Sequence, residues 1–511
     1  MLARVLSGAV LGIDAYLVGV EADVSSGLPS FSTVGLPQGA VKEGRERVVA
    51  ALQNSGYTVP PKRITVNLAP ADIRKEGSAF DLPIALGILA GTGQMAGTRL
   101  ERYALLGELG LDGGLRPVRG ALCIALAARQ AGLAGVVLPA ANVAEAAVVE
   151  GLEVRGARTL TEVVRFMETG EGLAPAEVDT SAIFQAGAGD DADLSEVRGQ
   201  EHAKRALEVA AAGGHNLLMV GPPGSGKTML ARRIPAILPP LSLEEALETT
   251  RIHSVAGLLE AGNSLVAVRP FRSPHHTISD AGLIGGGSVP RPGEVSLAHH
   301  GVLFMDELPE FRRNVLEVLR QPMEDSEVTI SRAGGSLTYP ACFMLAAAMN
   351  PCPCGYYGDR HRACTCVPVA VQRYLSRVSG PLLDRIDIHL EVPAVRYREL
   401  SDGRAGEPSK AVRERVVRAR ERQRARLAGR AGIYANAHMR AREIREFCRV
   451  GAGSDGLLRT AITRLGLSAR AYHRVLKIAR TLADLEGAEE IATAHVAEAI
   501  QYRSLDRLLR A

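Results

Sequence analysis

Three short apolar runs, each ending in a polar residue, punctuate the middle of the chain. Asn216-Leu-Leu-Met-Val220 leads into Gly221-Pro222-Pro223-Gly224-Ser225-Gly226-Lys227-Thr228, where a helical pattern begins. Gly301-Val-Leu-Phe-Met ends in Asp306-Glu307, and Cys342-Phe-Met-Leu-Ala-Ala-Ala-Met ends in Asn350. Continuous apolar runs of this length, bounded by turn residues, predict strands buried on both faces of a parallel sheet. Upstream, residues 1–172 alternate short Val/Leu/Ile-rich strands with Ala-rich helices, an α/β pattern. Residues 173–194 are small, acidic and non-periodic, and read as a linker. The three runs fall in a second α/β domain, residues 195–395. From 396 to 511 the chain is Arg- and Ala-rich with helical periodicity.

The first run and its loop supply a phosphate site. Glycines let the backbone wrap a phosphate chain and aim N–H groups at it, and the following helix adds the positive end of its dipole. Gly221 to Gly226 form that cradle. Lys227 can reach the terminal phosphates, and the Thr228 hydroxyl suits Mg²⁺. Asp306 is placed to hold the same ion, and Glu307 to polarise a water for attack on the γ-phosphate of ATP. Asn350, at a neighbouring strand tip, could orient that water.

Composition narrows the class. The net charge of +4 over 511 residues sets up no global field toward nucleic acid. No secretory leader and no apolar run long enough for a bilayer is found, so a cytoplasmic protein without membrane contact is expected. Of the seven cysteines, Cys352, Cys354, Cys364 and Cys366 crowd into one segment. That set offers four ligands to structural Zn²⁺ with His361 as a substitute; free or redox-active thiols are the other reading. Cys123, Cys342 and Cys448 read as inert core residues. His275-His276 and His299-His300 are poor chelates if extended, because adjacent side chains on a strand point to opposite faces. The stretch Lys410–Arg430 contains only Glu414 and Glu421 as acids. It reads as a solvated helix face, a phosphate-backbone contact or a contact for an acidic protein.

Longer phrases carry a family resemblance. Val197-Arg-Gly-Gln-Glu-His-Ala-Lys-Arg-Ala-Leu, Phe271-Arg-Ser-Pro-His-His-Thr-Ile-Ser, Gly293-Glu-Val-Ser-Leu-Ala-His-His-Gly, Asn350-Pro-Cys-Pro-Cys-Gly and Ser379-Gly-Pro-Leu-Leu-Asp-Arg-Ile-Asp resemble the bacterial YifB/ComM family. That family belongs to the magnesium-chelatase-like branch of the AAA+ ATPases. The resemblance implies an AAA+ P-loop core with a helical lid, ATP and Mg²⁺ as cofactors, and a homo-hexamer. It also implies a DNA motor on branched or single-stranded DNA, driving branch migration in natural transformation, with recombination proteins as further partners. The rival reading is a chelatase-like ATPase or chaperone that remodels a protein partner. The resemblance makes Arg385 the finger offered to the neighbouring subunit, with Arg377 and Arg373 as competitors. It makes Arg470 the lid arginine that senses nucleotide, with Arg474 on the same helix face. An insertion at about 251–295 is expected to project toward a ring pore. A hairpin at about 328–339, with Arg332 beside its tip, reads as a pore grip or as a plain surface hairpin.

The N-terminal phrases Lys75-Glu-Gly-Ser-Ala-Phe-Asp-Leu-Pro-Ile-Ala-Leu and Leu106-Gly-Glu-Leu-Gly-Leu-Asp-Gly-Gly-Leu-Arg-Pro-Val-Arg-Gly resemble the Lon-protease-type (ribosomal S5 domain 2-like) α/β domain. Where Lon carries its nucleophilic serine this chain has Ala79, and Leu122 stands in place of the lysine base. Ser78 is one position off. A nucleophile needs its base within hydrogen-bond reach, so no peptidase activity is expected.

Overall fold

The computed structural model describes residues 1–73, 75, 77–186, 192–259, 262–287, 290–332, 335–359, 362–394, 406–430, 432–465 and 468–506. The chain divides into two compact units. The first combines Met1–Ala186 with Leu243–Ala267, and the second combines Gly187–Ser242 with Val268–Ala511. Among the described residues no helix is long and apolar enough to cross a membrane.

The first unit is built on a seven-stranded mixed sheet. Its strand order is Ser30–Val34, Arg63–Ala69, Asp14–Ser25, Leu2–Leu11, Tyr103–Leu105, Gly135–Pro139, Glu153–Ala157. The helix Asp81–Gly91 is apolar all round and wholly buried against this sheet, as such a helix must be. Its one buried charge is neutralised: Arg47 Nε donates to Asp81 Oδ2 at 2.7 Å. Two expectations shift here. The 173–194 segment is not a bare linker, since Leu173 joins this core and Thr180–Ala186 is helical; the strand-edge backbone captures it, Ala176 N–H donating to Val154 O. The predicted insertion is also divided. Its leading helix, Leu243–Ala256, belongs to the first unit, where Arg251 donates to Asp14 (2.5 Å) and Ser254 Oγ to the buried Glu145 (2.5 Å). Periodicity could not reveal polar contacts made so far along the chain.

The second unit carries a fully parallel five-stranded sheet. Its order is Phe271–Arg272, Val302–Met305, Met344–Met349, Leu217–Val220, Ile388–Glu391. The three central strands are buried throughout, which is why they read as unbroken apolar runs. The helices beyond 396 share this core: Val412, Val416, Val475 and Ile478 cluster with Val209, Ala210 and Leu217. The lid is thus packed into one core with the sheet.

The basic stretch forms the helix Ser409–Leu427, and most of its arginines turn inward as clamps. Arg413 donates to Ala236 O, Arg415 pairs with Glu208 and Glu407, Arg420 donates to Ala211 O, and Arg426 pairs with Asp484. None of the three readings of this run accounts for these side chains, which serve as internal scaffolding; among the described residues Lys410, Arg418, Arg422 and Arg424 are the exposed cations of the helix that make neither an ion pair nor a hydrogen bond.

The hairpin forms from Glu327–Arg332 and Gly335–Pro340, paired Arg332↔Gly335; its turn lies outside the described residues. The histidine pairs are not extended. His299-His300 sits in a turn, with His300 at φ 55°, and the ring centroids lie 3.9 Å apart with the planes tilted by 48°; those of His275 and His276 lie 4.1 Å apart. Cys342 departs from the inert thiol expected. Burial alone would raise it, yet His438, 3.9 Å away, and His300 bring it well below its usual value. Burial holds Cys123 and Cys448 up at about 12.

One buried carboxylate ties the lid to the sheet. Asp387 accepts from Arg474 and from the Asn216 N–H (3.1 Å), with His215 Nδ1 at 3.5 Å. Burial opposes its charge, but Arg474 and His215 hold it well below the carboxylate range. A carboxylate depressed by folding contributes stability above its ordinary range, and that contribution is lost as pH falls. Asp387→Ala, which leaves Arg474 unpaired, is expected to cost about 3–5 kcal/mol in denaturant unfolding at neutral pH. The deficit relative to the parent should shrink as pH is lowered below about 4.

Candidate nucleotide-binding site

The site is assembled at the carboxyl ends of the three central strands. The loop from Gly221 to Gly226 leaves Leu217–Val220 and enters the helix Lys227–Ala231. Gly226 caps that helix at φ 87°, a left-handed conformation that glycine takes without strain. Lys227 is 8% exposed. Its ammonium donates to Gly221 O (2.8 Å) and Pro222 O (2.9 Å) and lies 3.3 Å from Asn350 Oδ1. Burial pushes its pKa down, with Asp306 and Glu307 opposing the shift.

The second strand delivers the carboxylates. Thr228 Oγ1 donates to Asp306 Oδ2 at 2.7 Å, so a hydroxyl from the helix Lys227–Ala231 meets a carboxylate just past the strand Val302–Met305. These are hard oxygen donors side by side, a set that fits Mg²⁺. Glu307 follows at φ 52°, uncommon for a residue with a side chain. Its N–H caps Asp306 Oδ1 at 2.9 Å while its own carboxylate stays exposed. That turn separates the two acids: one faces the hydroxyl, the other is exposed beside His276.

Three neighbours escaped the sequence reading. His276 Nδ1 lies 3.8 Å from Glu307 Oε2, and the His276 ring meets Phe311 edge-on. Buried Tyr374 lies beside the Asn350 backbone at the strand tip. Gln200 Nε2 donates to Ser225 O (2.8 Å) and Pro393 O (3.2 Å), bracing the loop from behind. His276 and Gln200 lie within the phrases that carried the resemblance, but nothing local marked them as neighbours of the loop.

The arginines fall elsewhere. Arg385 is not a free cation: it is 5% exposed, pairs with Glu324 at 2.5 Å and donates to Pro381 O at 2.7 Å. A side chain closed in this way reaches another subunit only by leaving Glu324. Its competitor Arg377 is half exposed, pairs with Glu310 at 2.9 Å and, with Arg373, Arg312 and Arg313, lines an open pocket of about 480 Å³. Arg470 lies exposed near the start of the helix Ala469–Glu486, whereas Arg474 points to Asp387, so the two do not act as one face. The four cysteines converge, with all four sulfurs within 4.8 Å of one another. His361 lies outside the described residues.

Comparison with known proteins bears on this geometry. Residues 193–400 match the family described as magnesium chelatase, subunit ChlI, residues 20–142 match a further ChlI family, and residues 406–503 match the ChlI C-terminal family. The chain is 47% identical to the competence protein ComM of Haemophilus influenzae, over 100% of this chain and 99% of that protein. The chain belongs to the bacterial magnesium-chelatase-like family. YifB of Salmonella typhimurium, in the same family, is 46% identical over 99% of this chain and 98% of its own length. A stretch of 154 residues is 32% identical to Lon protease 2 of Bacillus subtilis, covering 27% of this chain and 26% of that protein. Membership of this AAA+ family implies ATPase activity, with ATP and Mg²⁺ as its cofactors.

Lys227→Ala removes a charge-assisted contact and is expected to weaken binding of a fluorescent ATP analogue roughly tenfold to hundredfold. Glu307→Gln should bind the analogue normally, with single-turnover hydrolysis slowed on the order of 10²–10⁴-fold. Brisk turnover by that variant would remove Glu307 from the chemistry.

Proposed function

We propose that this chain is an ATP-driven motor that works as a homo-hexamer on branched or single-stranded DNA, as in branch migration. The observation that carries the ATPase half is the meeting of Thr228 with Asp306 and of Lys227 with Asn350 at one sheet edge. The DNA half rests on similarity over the full length to a competence protein. In this reading the loop Gly221–Gly226, Lys227 and Thr228 bind the phosphates. Asp306 and Thr228 hold Mg²⁺, which neutralises charge on the phosphate chain. Glu307 accepts the proton of the attacking water, Asn350 orients that water, and His276 steadies the Glu307 carboxylate.

The cation supplied by the neighbouring subunit comes from Arg385 once freed from Glu324, or from Arg377, whose exposure favours it. Such a group is worth roughly 10³–10⁵ in rate. The role of Arg470 as a nucleotide sensor in the lid is likewise a proposal of this reading. The backbone is the handle on DNA, so binding should depend little on sequence. The inward clamping of Arg413, Arg415, Arg420 and Arg426 leaves Lys410, Arg418, Arg422 and Arg424 as that helix's candidates for phosphate contact. The first unit is read as a Lon-type domain without peptidase function. Ala79 and fully buried Leu122 supply no nucleophile or base, and the Ser78 hydroxyl donates to Glu108. The convergent cysteines are read as ligands of one structural Zn²⁺.

The rival reading is a remodelling ATPase for a protein partner. ATP turnover measured with forked DNA, single-stranded DNA and an unfolded protein separates the two. Stimulation by DNA, with six-membered rings in particle images, is expected. Stimulation by the protein alone sinks the DNA motor. In mixed rings, Lys227→Ala chains combined with Arg385→Ala or Arg377→Ala chains should regain turnover only for the arginine that acts across the interface.

A further inference from the structure

The cysteine loop lies against the phosphate-binding loop, and the contact runs through a single glycine. Gly355 stands at φ 87°, in a turn closed by its own N–H donating to Cys352 O at 3.0 Å. A Cβ built on Gly355 would sit 2.4 Å from Pro223 Cδ and 2.7 Å from Pro223 Cγ. Only a residue without a side chain lets the turn seat itself on the Pro223 ring at this distance. The same loop begins two residues after Asn350, whose Oδ1 is 3.3 Å from Lys227 Nζ. Its start is therefore joined to one side of the site and its turn rests on the other.

Something must hold this loop in place. Cys352 is fully buried, but Cys354, Cys364 and Cys366 are partly exposed, and Tyr357 stands out toward solvent. An apolar core of its own is missing among its described residues. The sulfurs supply the alternative. Cys352 Sγ is 3.4 Å from Cys354 Sγ and 3.7 Å from Cys364 Sγ, and Cys354 and Cys364 are 3.6 Å apart. Bonds of about 2.3 Å in a tetrahedron set sulfurs about 3.8 Å apart. Backbone N–H groups of Cys354 and Cys366 donate to Cys366 Sγ (3.3 Å) and Cys364 Sγ (3.4 Å), the outer support that metal-bound thiolates receive.

We propose that Gly355 and the metal-held loop from Cys352 to Cys366 position the phosphate-binding loop by backing Pro223, so that nucleotide affinity depends on the ion. The inference rests on the zinc reading given above and extends it from a structural staple to a determinant of ATP binding. The ion does not touch nucleotide. It fixes the turn, the turn fixes Pro223, and Pro223 sets where the Gly224–Gly226 amides point.

The test uses the full chain, metal analysis and a fluorescent ATP analogue. The parent is expected to carry one zinc per chain. Gly355→Ala should keep that zinc and its thermal midpoint to within a few degrees, yet bind the analogue about tenfold more weakly. Adding Pro223→Ala, which removes the obstructing ring atoms, should recover most of that loss relative to Pro223→Ala alone. Cys366→Ser should lose zinc and affinity together. If Gly355→Ala with full zinc binds as the parent does, or the double variant is no tighter than the single, positioning through Pro223 is overturned while zinc stands. If the folded parent carries no metal, the zinc reading and the ion dependence both fall, and the glycine contact alone is judged by the two Gly355 variants.

Discussion

Parallel pairing in fixed register is the constraint on which the site depends. Val220 pairs with Met349, and Met305 with Ala347, so three strands end at one edge of the sheet. The residues just past those ends, the Gly221–Thr228 loop, Asp306-Glu307 and Asn350, are brought together by backbone pairing before any side chain acts. This is the crevice at the carboxyl ends of strands where open parallel sheets bind ligands. A slip of one residue in the Met344–Met349 strand would turn every buried side chain to the other face. It would also withdraw Asn350 from Lys227.

Charge in the second unit works mainly as internal scaffolding. Arg474 joins the lid to Asp387 at the foot of the Ile388–Glu391 strand, Arg426 holds Asp484, and fully buried Arg503 pairs with Asp506. Each is a desolvated pair in which a close partner and further donors on the carboxylate offset the cost of burial. The small net charge of the whole chain is consistent with this inward use of arginine. What remains exposed is unevenly placed, with Arg312, Arg313, Arg373 and Arg377 gathered around one pocket.

The phosphate loop, the acidic pair and Asn350 could be read from the chain because their signals are local. A buried strand, a glycine-rich turn and a helix follow one another within a few residues. The cysteine cluster was legible for the same reason. The closure of Arg385 was not, because Glu324 lies on a different element and nothing in Leu-Leu-Asp-Arg-Ile-Asp hints at it. The histidine doublets were misread by assuming strand geometry where the backbone turns at His300. The linker was misjudged because composition reports polarity, while Leu173 is a single apolar anchor. The lid looked like a domain of its own from its arginine content, yet Val412, Val416 and Val475 place it in the core of the sheet.

The path of the chain has a further consequence. It leaves the first unit near Ala186, comes back for Leu243–Ala267 and departs again. Neither unit is one uninterrupted stretch of sequence. A ribosome finishes residue 186 well before the helix carrying Arg251 and Ser254 exists, so Asp14 and Glu145 await partners during synthesis. Excising either half as a cloned fragment would strand that helix without its seat. Recombination between genes, which readily shuffles consecutive modules, has no single breakpoint here that delivers one unit whole.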